Sequence, residues 1–369
     1  MMKSEIKTAV ILAVIIAVSV GAISIIFSTL DSKDNPASIE EFNPEIKIDK
    51  SGFKKAPDIV GIAHYLNTTP EKLKEQMKGK VVLYDIWTYS CINCIRTLPY
   101  ITAWNDKYSD EGLLVIGIHS PEFEFEKDKD NVELAMEKHG ITYPVVMDND
   151  WETWKAFENR YWPRKYVADH EGYIRYDHIG EGAYKETEKI IQELLKERSH
   201  SLGLDAASAE TLVEIEEFKH TSFRTPELYF GYKFAQGRNQ LGSAEGFNQN
   251  QVTTYAEPEK IDLHKFYPMG NWSNLEDSMR LESDTGAIKV LYHAKEVNIV
   301  TANSADLEIF LDGNPVDEKY AGSDITAGGR ISVTEPDLYN IISSEESATH
   351  ELEIRIKGKG FEMYTFTFG

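Results

Sequence analysis

The sequence predicts an α/β domain on a mixed sheet, an all-β sandwich after it, and one apolar helix ahead of both. Three observations carry this. From 58 to 200, short apolar runs alternate with amphipathic helical patterns and close in a hairpin and a helix. From 223 to 369, short alternating strands are separated by Gly, Asn and Asp turns, the pattern of a sandwich. Between Thr8 and Leu30, 23 residues pass without a charge.

That uncharged stretch, taken as a helix, spans roughly 35 Å, enough to cross a bilayer core with some tilt. It is longer than the apolar region of a cleaved signal peptide, so it reads as an uncleaved signal anchor, residues 1–30. Lys3 and Lys7 precede it, and Asp31 and Asp34 follow it. The positive-inside rule then puts the N-terminus inside the cytoplasmic membrane and the bulk of the chain outside. Residues 31–57 are polar, contain Pro36, Pro44 and Pro57, and read as a tether.

Within 58–200, Thr69-Pro-Glu71 opens a short helix ending near Gly79. Val81–Trp87 is an apolar run read as a buried strand, and a helix follows from Cys91 to about Tyr108, with Ile95, Leu98, Ile101, Trp104 and Tyr108 at spacings of three and four. Leu113–His119 is a second buried strand, 131–139 a helix stopped by Gly140, and 143–147 a third strand. Residues 151–161 read as helix, 164–168 and 173–178 as a hairpin, and 184–197 as the last helix. The segment 122–130 alternates Glu and Phe before a charge run and reads as a solvated loop; Asp148-Asn-Asp150 reads as a turn and helix cap. Residues 201–222 are expected to link this domain to the sandwich, where 287–293, 297–302, 307–311 and 352–356 are strands and Asp312-Gly-Asn-Pro315 is a hairpin turn.

The net charge of −22 excludes nucleic-acid binding, which needs basic surface against phosphate, and docking on anionic headgroups. The cysteines number two, Cys91 and Cys94, spaced C-x-x-C at a strand-to-helix turn. Unpaired N–H groups at a helix start favour a thiolate, the form that attacks disulfides. That effect fades within a turn, so Cys91 is the attacking thiol and Cys94 the resolving one; Arg96 adds positive charge nearby. A disulfide between residues three apart closes a small ring, so its use is exchange rather than stapling. Asp85, inside the apolar strand, is a buried carboxyl placed to exchange a proton with Cys94. Pro163 follows Trp162 at the start of a strand, a position that a cis bond would suit.

These residues resemble the thioredoxin superfamily, and most of all its membrane-anchored TlpA-like branch and the thioredoxin-like region of DipZ-type proteins. The resemblance runs in register over Lys80–Pro99, Gly117–Glu122, Tyr161-Trp-Pro163 and Gly180-Glu-Gly182, and continues through Arg224–Gly237 and the closing Phe366–Gly369, which look like the sandwich appended to DipZ-type proteins, of carbohydrate-binding-module or jelly-roll type. The resemblance implies a thioredoxin-like domain with Cys91 as nucleophile, Cys94 as resolving thiol, Asp85 as the buried acid, Trp87 as the active-site tryptophan and Pro163 as the cis-proline, with Trp162 and Pro163 facing substrate. It implies thiol-disulfide exchange with exported proteins, reducing or isomerising, with no cofactor beyond the cysteine pair. DipZ-type proteins carry a multi-helix membrane domain that delivers electrons; with one span here, the donor is expected to be a separate membrane protein of the CcdA type.

Two other functions fit parts of the sequence. Thr88-Tyr-Ser-Cys91 has the Thr-x-x-Cys spacing of a thiol peroxidase, though Tyr84 stands where that family places proline. Alternatively the sandwich is the working part, a surface module for a glycan or protein, with Tyr229, Phe230, Tyr232, Phe234 and Trp272 stacking on sugars; such clusters are more often core. A zinc site lacks the further ligands that a tetrahedral shell needs, so no metal is expected.

Overall fold

The computed structural model describes residues 49–205, 211–220 and 223–369. The expected apolar span, residues 31–48 of the tether, and parts of the linker (206–210 and 221–222) lie outside the described residues. Among the described residues no helix is long and apolar enough to cross a membrane.

The first sheet has six strands. They are β1 (His64–Leu66), β2 (Val81–Trp87), β3 (Leu113–His119), β4 (Val145–Met147), β5 (Arg164–Ala168) and β6 (Ile174–Ile179), in the spatial order β1-β4-β3-β2-β5-β6. β2, β3 and β4 run parallel, while β1, β5 and β6 are antiparallel to their neighbours. Every residue of β2 and β3 is buried, because helices cover both faces. On one face Leu83 and Trp87 meet α2 (Ile92–Tyr108), α3 (Lys129–Lys138) and α5 (Tyr184–Leu202) through Leu98, Ile101, Trp104, Val132 and Leu195. On the other, Val82, Tyr84 and Ile86 meet α1 (Pro70–Gln76) and α4 (Glu152–Ala156) through Leu73 and Trp154. Thr69 caps α1, and Asp148 caps α4 by accepting from the Thr153 and Trp154 amides at 3.0 and 2.7 Å.

Two segments expected to be loose are tied down. Lys50 pairs with Asp169 and Glu197 at 2.9 and 2.7 Å, and Lys55 bridges to Tyr173, so residues 49–57 hold to the β5–β6 hairpin. In the linker, Val213 donates to Glu188, and Tyr100 donates to the Ile215 carbonyl at 3.1 Å.

The C-terminal part is β-rich. Ten strands form one antiparallel sheet. Its main path is β13 (Asn314–Pro315), β12 (Ala305–Leu311), β15 (Asp337–Lys357), β11 (Thr285–Ala302), β16 (Glu362–Phe368), β10 (Met279–Leu281), β9 (Lys265–Asn274) and β8 (Val252–Tyr255). β14 (Arg330–Val333) joins β12, and β7 (Leu228–Tyr229) joins β16. The strands expected at 287–293 and 297–302 are one strand, β11, which passes through register shifts at Ala294/Glu296 and Val297/Asn298. Bulges bend a strand and raise its twist, and here β9 packs against β11 without sharing a ladder, so the sheet curls over its own core.

Of the aromatics weighed as a sugar-stacking surface, Phe230 and Trp272 are fully buried in the sheet's core, the commoner place for such clusters, and Tyr229 stacks on Phe234 at 5.4 Å. One further expectation is corrected. The 122–130 segment is not a solvated loop. Phe123 and Glu126 are buried, and the rings of Phe123 and Phe125 lie 5.0 and 4.7 Å from Tyr364 of β16. Alternate glutamates disguise a pair of rings that join the two sheets. Ile92 and Ile95 of α2 pack into the same cluster, with Val300, Ala302 and Leu338.

Candidate active site

The chain leaves β2 at Trp87, turns through Thr88–Ser90 and enters α2 at Ile92. Cys91 is the N-cap: its backbone is extended, and its Sγ accepts the Cys94 amide at 3.4 Å, in the place of a capping oxygen. Cys91 is half-buried, and Cys94, one turn deeper, is 1% exposed. Burial, then the neighbouring Cys91 thiol, push the Cys94 thiol well above its ordinary range, with Asp85 adding to the rise.

Asp85 lies beneath the pair, 1% exposed, with Oδ1 buried and, among the described residues, without a hydrogen-bond partner. Burial raises its carboxyl to about 7, against the opposing pull of Lys165. Lys165, on β5 directly opposite Asp85, is fully buried, and its Nζ donates to the Gly180 carbonyl at 3.2 Å. Burial lowers its ammonium to about 8, with Asp85 the leading influence the other way.

Trp87 is fully buried, edge-on to the His119 ring at 5.3 Å. The Trp162–Pro163 bond is cis, Pro163 is buried, and its carbonyl accepts the Gly180 amide at 2.8 Å. Because Arg164 pairs with Ile86, Pro163 stands beside the end of β2 where the cysteine turn begins. Trp162 packs against Trp154 at 4.3 Å, and its indole N–H donates to the Ser120 carbonyl at 2.9 Å, so half of this ring is structural.

The structure adds Glu126 and His119 to the site and places Thr88 and Arg96. Glu126 is buried against the turn: Ser90 Oγ donates to it at 2.6 Å, and the Phe123 amide donates at 2.9 Å. His119 is buried and pushed down to about 3 by desolvation, so its imidazole is neutral. The Thr88 hydroxyl lies 3.3 Å from His119 Nε2, engaged there rather than free beside Cys91. Arg96 donates to Glu296 of β11 at 2.6 Å and lies over the Phe218 ring at 3.5 Å. Lys165 follows Arg164 and Glu126 precedes Lys127, so neither stands out in the sequence as Asp85 does among its apolar neighbours. Among the described residues no three His, Cys, Asp or Glu side chains are grouped to hold a metal.

A half-exposed sulfur above a buried one, with a carboxyl near neutrality beneath, can form a mixed disulfide, resolve it, and hold the proton released.

Known proteins agree with this chemistry. The Redoxin family model matches residues 52–195, and the model described as a thioredoxin-like C-terminal domain matches 225–369. Protein DipZ of Mycobacterium tuberculosis is 34% identical over 317 residues, covering 85% of this chain and 43% of DipZ. The chain thus spans under half the length of that relative. Thiol-disulfide oxidoreductase YkuV of Bacillus subtilis is 34% identical over 142 residues, 38% of this chain and 94% of YkuV. A solved thioredoxin-like protein in the oxidised form is 32% identical, covering 39% of this chain and 95% of its own, at a TM-score of 0.35. A likeness that takes in nearly all of YkuV, beside a Redoxin match over the stretch that folds around the cysteine turn, makes this chain a member of the thioredoxin-like thiol-disulfide oxidoreductases.

Proposed function

We propose that the protein is a membrane-anchored, extracytoplasmic oxidoreductase that reduces or isomerises disulfides of exported proteins. Cys91 attacks one sulfur of the substrate disulfide, and the other substrate sulfur leaves and takes up a proton. Cys94 then gives its proton to Asp85 and attacks Cys91 Sγ. The Cys91–Cys94 bond forms, the second substrate sulfur departs, and the two electrons gained by substrate have come from the pair. Trp87 and Pro163 frame the turn, and substrate lies along Pro163 and Trp162.

The observation that carries this reading is the difference in depth between the sulfurs: Cys91 half-exposed, Cys94 buried over Asp85. Each reducing turnover leaves the pair oxidised, so a donor is required; the proposed donor is a separate membrane protein of the CcdA type. Support for the anchor is the uncharged stretch Thr8–Leu30. The β-rich part is read as a sandwich that braces the cysteine helix.

Insulin reduction by the full chain with a thiol reductant tests the reaction. Cys91→Ser should abolish it, and activity in that variant would end the proposal. Fractionation of expressing cells, with protease added outside, tests the location; a soluble or protected chain would reject it.

A further inference from the structure

We infer that Glu126 is a positioning residue for the exchange reaction: its buried carboxyl group, reaching in from the loop after β3, holds the turn Thr88–Ser90 by hydrogen bonds and so fixes Cys91 over Cys94. This rests on the exchange reading above.

The turn that presents Cys91 is irregular backbone, yet Thr88, Tyr89 and Ser90 are 0%, 2% and 2% exposed. Hydroxyls buried there need partners within the protein. Glu126, itself fully buried, is a partner to both. The Ser90 hydroxyl donates to its Oε1 at 2.6 Å, and the Thr88 hydroxyl also bonds to the carboxyl group. Its Oε2 accepts the Glu122 and Phe123 amides at 2.5 and 2.9 Å, which locks the carboxyl group to its own loop. Between the two hydroxyls, the Tyr89 ring stacks on His119 at 5.7 Å and lies edge-on to Phe125 at 5.9 Å. All three residues of the turn are thus held by the end of β3 and the loop after it, just before the chain reaches Cys91.

That loop is held in turn from the second sheet. Phe123 and Phe125 meet Tyr364 of β16, and the Glu122 carboxyl group accepts from the Tyr229 hydroxyl at 3.1 Å. Glu126 is therefore a point at which the packing of the β-rich part reaches the thiols. Closing the Cys91–Cys94 bond needs both sulfurs in one geometry, and a turn already held has lost the freedom that closure would otherwise cost. Freeing the turn lowers the effective concentration of one thiol at the other and shifts the pair toward the dithiol. The hold is directional. An amide of the same shape can accept both backbone N–H groups on its oxygen and donate to Ser90, whereas a methyl group can do neither.

The test is the equilibrium of the full chain with reduced and oxidised glutathione, read by acid quench and alkylation. Glu126→Ala and Ser90→Ala should each shift the pair about tenfold toward the dithiol, a potential about 30 mV higher. Glu126→Gln should stay within about threefold of wild type, because its amide restores the contacts. Adding Ser90→Ala to Glu126→Ala should shift the pair no further, because the contact is already gone. Ser90→Ala removes a single hydroxyl and serves if Glu126→Ala does not fold. An equilibrium unmoved in either alanine variant, or a shift in Glu126→Gln as large as in Ser90→Ala, would overturn the assignment. Cys91→Ser separates the two failures: insulin reduction surviving there removes the exchange reading, whereas reduction lost there with an unmoved equilibrium in the alanine variants removes the role of Glu126 alone.

Discussion

Arg96 Nη2 donates to Glu296 Oε2 at 2.6 Å, tying the cysteine helix to the register shift in β11 of the second sheet. Both side chains are largely buried, at 11% and 20% exposure, and the guanidinium also covers the Phe218 ring. The positive charge that the sequence placed near the thiols is thus committed to joining three segments.

Removing that guanidinium takes the charge partner from a largely buried carboxylate. Arg96→Ala should destabilise the protein by about 1–3 kcal/mol in denaturant titration. Glu296→Gln should cost less, and a double-mutant cycle should show coupling; strict additivity would mean that the pair contributes nothing.

Phe123 is 2% exposed and joins the first sheet's loop to Tyr364 and Phe234. Truncating a buried phenylalanine costs about 3–5 kcal/mol. Phe123→Ala should split calorimetric unfolding into two transitions, because the lost ring is shared between the sheets. A single transition at the wild-type temperature would contradict the described interface.

His119 is buried, and its proton affinity is pushed down to about 3 from an ordinary 6.5. A lowered value in the folded state means that its contribution is complete above pH 6.5 and is lost as pH falls toward 3. The full effect is roughly 3–5 kcal/mol. His119→Gln, which cannot charge, should lose less stability than wild type over that window. Parallel curves for the two proteins would refute this.

Gly117 sits beside Asp85 in the β2–β3 ladder, where an added Cβ would lie 3.0 Å from Trp87 Nε1 and 3.1 Å from Val145 Cγ2. Gly117→Ala should cost about 1–3 kcal/mol and shift Trp87 fluorescence. An unchanged spectrum and stability would show that the tryptophan is not held there.

What was legible in the sequence follows from burial. β2 and β3 are mainly apolar runs buried on both faces, so their bounds could be read directly. The depth order of Cys91 and Cys94 follows from helix geometry alone. Other features were hidden by charge. Lys295-Glu296 breaks the apolar alternation of β11 and reads as a strand end, whereas the chain bulges there and continues. Glu122-Phe-Glu-Phe looks solvated because its glutamates alternate with rings that find partners on a distant strand. Ile95 fits the helical stripe of α2, yet packs on the second sheet, a surface that local periodicity cannot see. β1 is three residues long, too short to show a period.

The central claim is that Cys91 meets substrate while Cys94 waits beneath it. The most direct measurement uses Cys94→Ser in the full chain, mixed with a disulfide-containing peptide and analysed by intact mass and proteolytic mapping. The account predicts a stable adduct of one peptide on Cys91 within the time in which wild type turns over. Absence of that adduct while Cys91→Ser gives one on Cys94 would contradict it.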